Sequence, residues 1–131
     1  MRFARWTFIG AAIYGVIVLA PLLFVESQIA RTTGPLTYPE YYYGFLGSAL
    51  VFQLVFFVIG RDPVRYRPLM LVAVAEKWAW GPTVWWLVLQ GRTHGAVVIF
   101  ATIDLALGVL FALAYARTPT RPRSSPRAEP D

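Results

Sequence analysis

The stretch WTFIGAAIYGVIVLAPLLFV, Trp6–Val25, runs for twenty residues without a charge between Arg5 and Glu26. At a helical rise of about 1.5 Å per residue it covers roughly 30 Å, the thickness of the hydrocarbon core of a bilayer. A water-soluble helix of this length would turn a polar face outward, and this stretch has none. The sequence therefore predicts a transmembrane helix here.

The pattern recurs downstream. A second uncharged run of twenty residues, Tyr41–Gly60, lies between Glu40 and Arg61, and Gly44, Gly47 and Ser48 are expected to admit a neighbouring helix. A third span, about 68–90, opens on Pro68, whose missing N–H is harmless in a first turn, and carries Glu76, Lys77 and then Gly81-Pro82, where a kink is expected. A fourth, about 95–116, holds one charge, Asp104, and stops at Arg117-Thr118-Pro119. The reading is an all-α integral membrane four-helix bundle, with spans of about 6–25, 41–60, 68–90 and 95–116 in one domain, 1–117. A proline- and arginine-rich tail, 118–131, is expected to be disordered and solvated.

Composition agrees. Of 131 residues, 57% are hydrophobic and 15% charged, against about 25% charged in ordinary soluble domains. The absence of cysteine excludes disulfides, thiolate-bound metals and thiol catalysis. The net charge of +5 does not point to nucleic acid, because the basic residues sit at span ends and in the tail. Nine arginines fall before the first span, between the second and third, and after the fourth, against Arg31 and Arg92 on the other side. That bias predicts a multi-pass protein of the cell membrane with both termini cytoplasmic.

Tyr38, Tyr41, Tyr42 and Tyr43 at the start of the second span, Trp85 and Trp86 near the end of the third, and Trp6 at the start of the first occupy interface positions. Thr37-Tyr38-Pro39-Glu40 has capping-box spacing, with Thr37 as the expected cap, and Glu26 to Thr37 is expected as the longest connection. Arg2 and Arg5 ahead of an apolar run, with Val18-Leu19-Ala20, resemble a secretory signal; Pro21 argues against cleavage, and the first span is expected to be retained.

Charges at a helix centre cost roughly 2.5–3.5 kcal/mol on insertion scales, so Glu76, Lys77 and Asp104 are expected to face inward. At about 1.5 Å per residue, Tyr14 and Glu76 lie roughly 12 Å deep from the cytoplasmic ends, Lys77 about 13 Å, Gln53 about 10 Å and Asp104 about 18 Å. The five residues form one candidate polar layer drawn from all four helices. Ala101, Asp104, Gly108 and Ala112 make a small-residue stripe that aims the carboxylate into the bundle, and Ala11 and Gly15 do the same for Tyr14. Adjacent residues diverge by about 100° around a helix, so Glu76 and Lys77 are not expected to satisfy each other. Lys77 is expected to pair with Asp104, while Glu76 bonds Gln53 or Tyr14 or stays protonated, since burial disfavours the charged form.

Three functional classes follow. In the first, the layer is structural glue between helices; in the second, an intramembrane carboxylate drives proton-coupled movement of a small solute. A third class, an enzyme or quinone-handling subunit, would use Trp78, Trp80, Trp85 and Trp86 as an apolar slot, but the chain has no nucleophile–base pair, and a single histidine, His94, excludes two-histidine ligation. Neither a cofactor nor a metal is implied, and the expected partners are the lipid bilayer and a second copy or another membrane protein. The stretches Tyr41–Gly47 and Arg61–Pro68, followed by Glu76-Lys77, together with the span plan and size, resemble small bacterial membrane proteins of the broad DoxX-like kind. That resemblance implies a four-helix protein associated with respiratory or redox complexes, an accessory subunit, and carries over no functional residue. Four-helix small multidrug exporters have a similar length but place their working carboxylate in the first span, where this chain has none.

Overall fold

The structure, a computed structural model, describes residues 2–93 and 95–123. Their regular secondary structure is entirely helical: α1 (Arg2–Leu19), extended by a 3-10 turn (Ala20–Phe24), then α2 (Glu26–Thr33), α3 (Pro39–Arg61), α4 (Arg67–Leu89) and α5 (Val97–Arg117). Arg2–Phe24, Pro39–Arg61 and Val97–Arg117 are long and apolar enough to cross a membrane. α4 equals α3 in length at 23 residues, but Glu76, Lys77 and the Gly81-Pro82-Thr83 step dilute its apolar character, and it is not among these three.

Pro21 begins the tightening of α1 into the 3-10 turn. The connection after it, expected as a long loop, contains α2. The capping box at Thr37 does not form: Tyr38 is the N-cap of α3, it makes no side-chain cap bond, and Pro39 supplies the first helical residue. Pro39 has no N–H to cap and its ring fixes the φ that starts the helix, so the start falls there. Pro82 lies within α4, which continues through it to Leu89. Thr83 Oγ1 donates to the Ala79 carbonyl at 2.6 Å next to the step where proline removes a backbone donor. The tail expected to be disordered lies outside the described residues from position 124 onward.

α1 packs chiefly on α3 and α4 on α5, and the two pairs join through α1 against α5. The inner seam of each helix repeats at steps of three and four: Ala4, Phe8, Ala11, Ala12 and Gly15 on α1, and Leu46, Ala49, Gln53, Phe56, Ile59 and Gly60 on α3. One end of the molecule is closed by aromatic packing. Phe8 stacks on Phe111 with centroids 4.3 Å apart, and Phe56 tilts against Phe111 at 5.0 Å. Met70, Ile59 and the alanines Ala4, Ala73 and Ala114 fill the space around the three rings. At that same end Arg67 Nε donates to the carbonyls of Tyr115 and Thr118, and the Arg117 guanidinium lies 4.8 Å over the Phe3 ring. The start of α1, the α3–α4 turn and the end of α5 thus meet at one arginine-rich end.

Outward, Ile17, Leu54 and Ile99 are each more than half exposed, and apolar residues encircle α4 and α5 with no polar face. Such an exterior suits lipid and not water, and with the three span-length helices it marks a membrane protein.

The small residues that hold the helices close are not the ones expected. Gly44 and Gly47 meet nothing within 4 Å, and Ser48 is exposed beside them. They sit on the face of α3 opposite its seam, because a seam through Leu46, Ala49, Gln53 and Phe56 excludes them. Gly60 instead brings α3 against α1: a Cβ there would stand 3.1 Å from the Ile9 nitrogen and 3.2 Å from the Arg5 carbonyl oxygen. Gly60→Ala is therefore expected to lose about 1–3 kcal/mol of stability by overpacking. Gly47→Ala, in open space, should gain up to about 1 kcal/mol from helix propensity. Unfolding in a denaturing-detergent titration of both variants checks this; equal effects would contradict the assigned seam.

Candidate functional site

Above the Phe8–Phe56–Phe111 cluster the helices separate. Tyr14 of α1, Gln53 of α3, Glu76 and Lys77 of α4 and Asp104 of α5 all line one cavity of about 590 Å³. They form its polar floor. Gln53 and Lys77 are 2% and 6% exposed, and the other three are half-buried.

Lys77 organises this floor. Its Nζ lies 3.0 Å from Asp104 Oδ1, a hydrogen-bonded ion pair joining α4 to α5, and 3.6 Å from Glu76 Oε2. It also stands 5.2 Å above the Phe56 ring, so the ammonium rests on the top of the aromatic cluster. Glu76 and Lys77 were not expected to satisfy each other, and no hydrogen bond joins them, although the four-carbon stem of lysine bends back to bring its ammonium within 3.6 Å of Glu76 Oε2. Glu76 does not bond Gln53 or Tyr14. Among the described residues its buried Oε2 has no hydrogen-bond partner.

Gln53 is held by its own helix, Nε2 donating to the Ala49 carbonyl at 2.8 Å. Its Oε1 reaches over Gly15, where any Cβ would collide with the amide. Gly15 thus makes room for a polar group on the facing helix. On α5, Ala101 and Gly108 are buried beside Asp104 as expected of the stripe, but Ala112 is exposed and Phe111 takes the inward position. Two turns of a helix take about 7.2 residues, so the seam that passes Asp104 returns at 111 and not 112.

The cavity walls were not marked by the sequence. Phe45 and Trp80 stack at 5.6 Å and line the cavity together with Val18, Leu22 and Phe100, and Ile29, Thr32 and Thr33 of α2 complete the lining. An apolar residue that lines a cavity and one that faces lipid carry the same hydropathy, so only three-dimensional packing separates them. Of the four tryptophans grouped as a slot, only Trp80 lines the cavity. Trp78 packs across Gly108, Trp86 is largely exposed and Trp85 is half-buried. His94 lies outside the described residues. No cluster of three or more metal-ligating side chains occurs among the described residues.

Chemically, the floor offers more acceptors than donors: two carboxyls and an amide oxygen face one ammonium and one phenol. The Lys77–Asp104 pair should show as coupling in a double-mutant cycle of Lys77→Met and Asp104→Asn. A coupling of about 1–2 kcal/mol is expected in detergent unfolding, the upper range for interhelical polar contacts in membranes. Additivity within about 0.5 kcal/mol would contradict the pair. No protein-family profile, curated protein or solved structure matches the chain.

Proposed function

We propose that the chain is a four-span membrane protein, α1 with its 3-10 turn, α3, α4 and α5, that binds a small amphipathic molecule in the cavity between them. α4 serves as the remaining span in this reading: 23 residues rise about 35 Å, and its two charges are turned onto partners rather than toward lipid. The arginine-rich end lies in the cytoplasm, by the excess of Lys and Arg on that side, and the cavity opens toward the opposite leaflet.

The observation that carries the ligand reading is the pairing of apolar walls with a charged floor whose Lys77 ammonium lies 5.2 Å over Phe56 of the aromatic cluster. A structural layer alone needs no cavity of 590 Å³ above it. A path for a transported solute needs an exit, and the Phe8–Phe56–Phe111 cluster fills that direction. Pockets of roughly 300–1,000 Å³ with mostly apolar lining and a few convergent polar groups are the usual sites for small molecules. With both carboxyls ionised, one ammonium leaves the floor a negative charge in excess, and Glu76 Oε2 lacks a donor. The head group that fits is a donor, best a cationic amine, with an apolar body along Phe45, Trp80 and Phe100. The resemblance to DoxX-like proteins adds no residue to this pocket; an accessory role in a larger complex is compatible with it.

A diazirine-bearing alkylamine, with its alcohol and carboxylate counterparts, tests the reading in lipid nanodiscs. The amine is expected to label the wall residues best and the carboxylate least. Glu76→Gln should weaken amine labelling roughly tenfold, the worth of one charge-assisted hydrogen bond, while leaving the alcohol nearly unchanged. Equal labelling by all three, or labels spread over the lipid-facing residues Ile17 and Leu54, would defeat it.

A further inference from the structure

From the surroundings of the cavity mouth we infer that α2 is a hinged lid that gates ligand entry; this rests on the reading of the cavity as a binding site. Among the described residues α2 is the one helix without extensive packing along another helix, and none of its eight residues is buried. Three of them, Ile29, Thr32 and Thr33, nevertheless line the cavity. The hydroxyls of Thr32 and Thr33 are both tied back to the Ile29 carbonyl, at 3.0 and 2.9 Å, so neither is spent on a neighbouring helix.

The attachments on either side differ from α2 itself. The preceding 3-10 turn contacts both α1 and α3, and Tyr42 donates its hydroxyl to the Leu22 carbonyl at 2.6 Å. The chain is thus anchored at Leu22, just ahead of α2. Val25, between the turn and α2, has φ −117° and ψ 18°, outside the helical values on either side. At the other end Gly34 adopts φ 83° and ψ 171°, a conformation open to glycine alone among the residues. Two bends thus bracket a short rigid rod, the arrangement of a hinged cover.

Among the described residues one side-chain hydrogen bond holds the rod down: Tyr43 of α3 donates its hydroxyl to Glu26 Oε2 in the first turn of α2. Glu26 also sits where a carboxylate favours the start of a helix, which keeps α2 intact whether the cover is open or closed. Tyr43–Glu26 is therefore the latch. Breaking it frees the lid without touching the floor, since neither residue lines the cavity.

The natural chain lacks cysteine, so a single spin label at Gln28→Cys reports on α2 alone, and one at the exposed Ala112→Cys serves as control. In nanodiscs without ligand, Tyr43→Phe or Glu26→Gln is expected to mobilise the label at 28 and leave that at 112 unchanged. With the diazirine-free alkylamine added, association and dissociation should both quicken in the latch variants, by up to roughly tenfold. A label at 28 equally immobile with and without the latch overturns the lid, as do alkylamine rates that the latch variants leave unchanged. A mobile label together with a natural chain that binds no alkylamine keeps the hinge and defeats the ligand reading instead.

Discussion

Lys77 places an ammonium inside an apolar layer of helices, where an unpaired charge costs roughly 2.5–3.5 kcal/mol. The rest of the structure accommodates that group. Asp104 meets it from α5 at 3.0 Å, Glu76 from its own helix at 3.6 Å, and the Phe56 ring lies beneath it. The pair fixes the register of α4 against α5, the most extensive helix contact in the molecule. Close approach along that contact needs residues without bulk: Gly81 faces Leu105 and the Ala101 carbonyl, and Gly108 faces Trp78.

Two regimes of packing follow on either side of the ammonium. Toward the arginine-rich end, alanines and Gly60 let the backbones close around three phenylalanine rings, and little space is left. Toward α2, large side chains such as Phe45, Trp80 and Phe100 line the interior without filling it, and a cavity remains. The polar floor lies at the boundary because that is where the last tightly packed turn presents its side chains to open space. A single carboxyl oxygen of Glu76 without a hydrogen-bond partner is the residue of that compromise among the described residues, and a donor from a ligand would satisfy it.

Much of this was legible in the residues. Uncharged runs located α1 and α3, and an apolar run broken only by Asp104 located α5, each to within a few positions, and intramembrane charge singled out Glu76, Lys77 and Asp104 because such groups demand partners. Depth counting put Tyr14 and Gln53 near them, and the structure brings all five to one cavity. Other features were hidden for physical reasons. α2 is too short and polar to show a hydropathy signal, and it is set by Glu26 in its first turn and Gly34 after its last. The inward face of α3 could not be chosen by its glycines, since Gly44 and Gly47 offered a plausible seam that packing assigns to the opposite side. Backbone angle separates Glu76 from Lys77, but it does not set how far a lysine stem bends, so the 3.6 Å approach of the ammonium to Glu76 Oε2 was not legible.

In the proposed four-span arrangement the cavity is open at the α2 end and sealed at the arginine-rich end. Single cysteines at Ser27, Ala49, Ala12 and Asp62, tested in sealed vesicles with a small membrane-impermeant thiol reagent, address it most directly. The account predicts that Ser27→Cys and the cavity-lining Ala49→Cys react from one side, Asp62→Cys only from the other, and Ala12→Cys, beside the aromatic cluster, from neither. Reaction of Ser27→Cys and Asp62→Cys from the same side, or an Ala49→Cys as inert as Ala12→Cys, would contradict it.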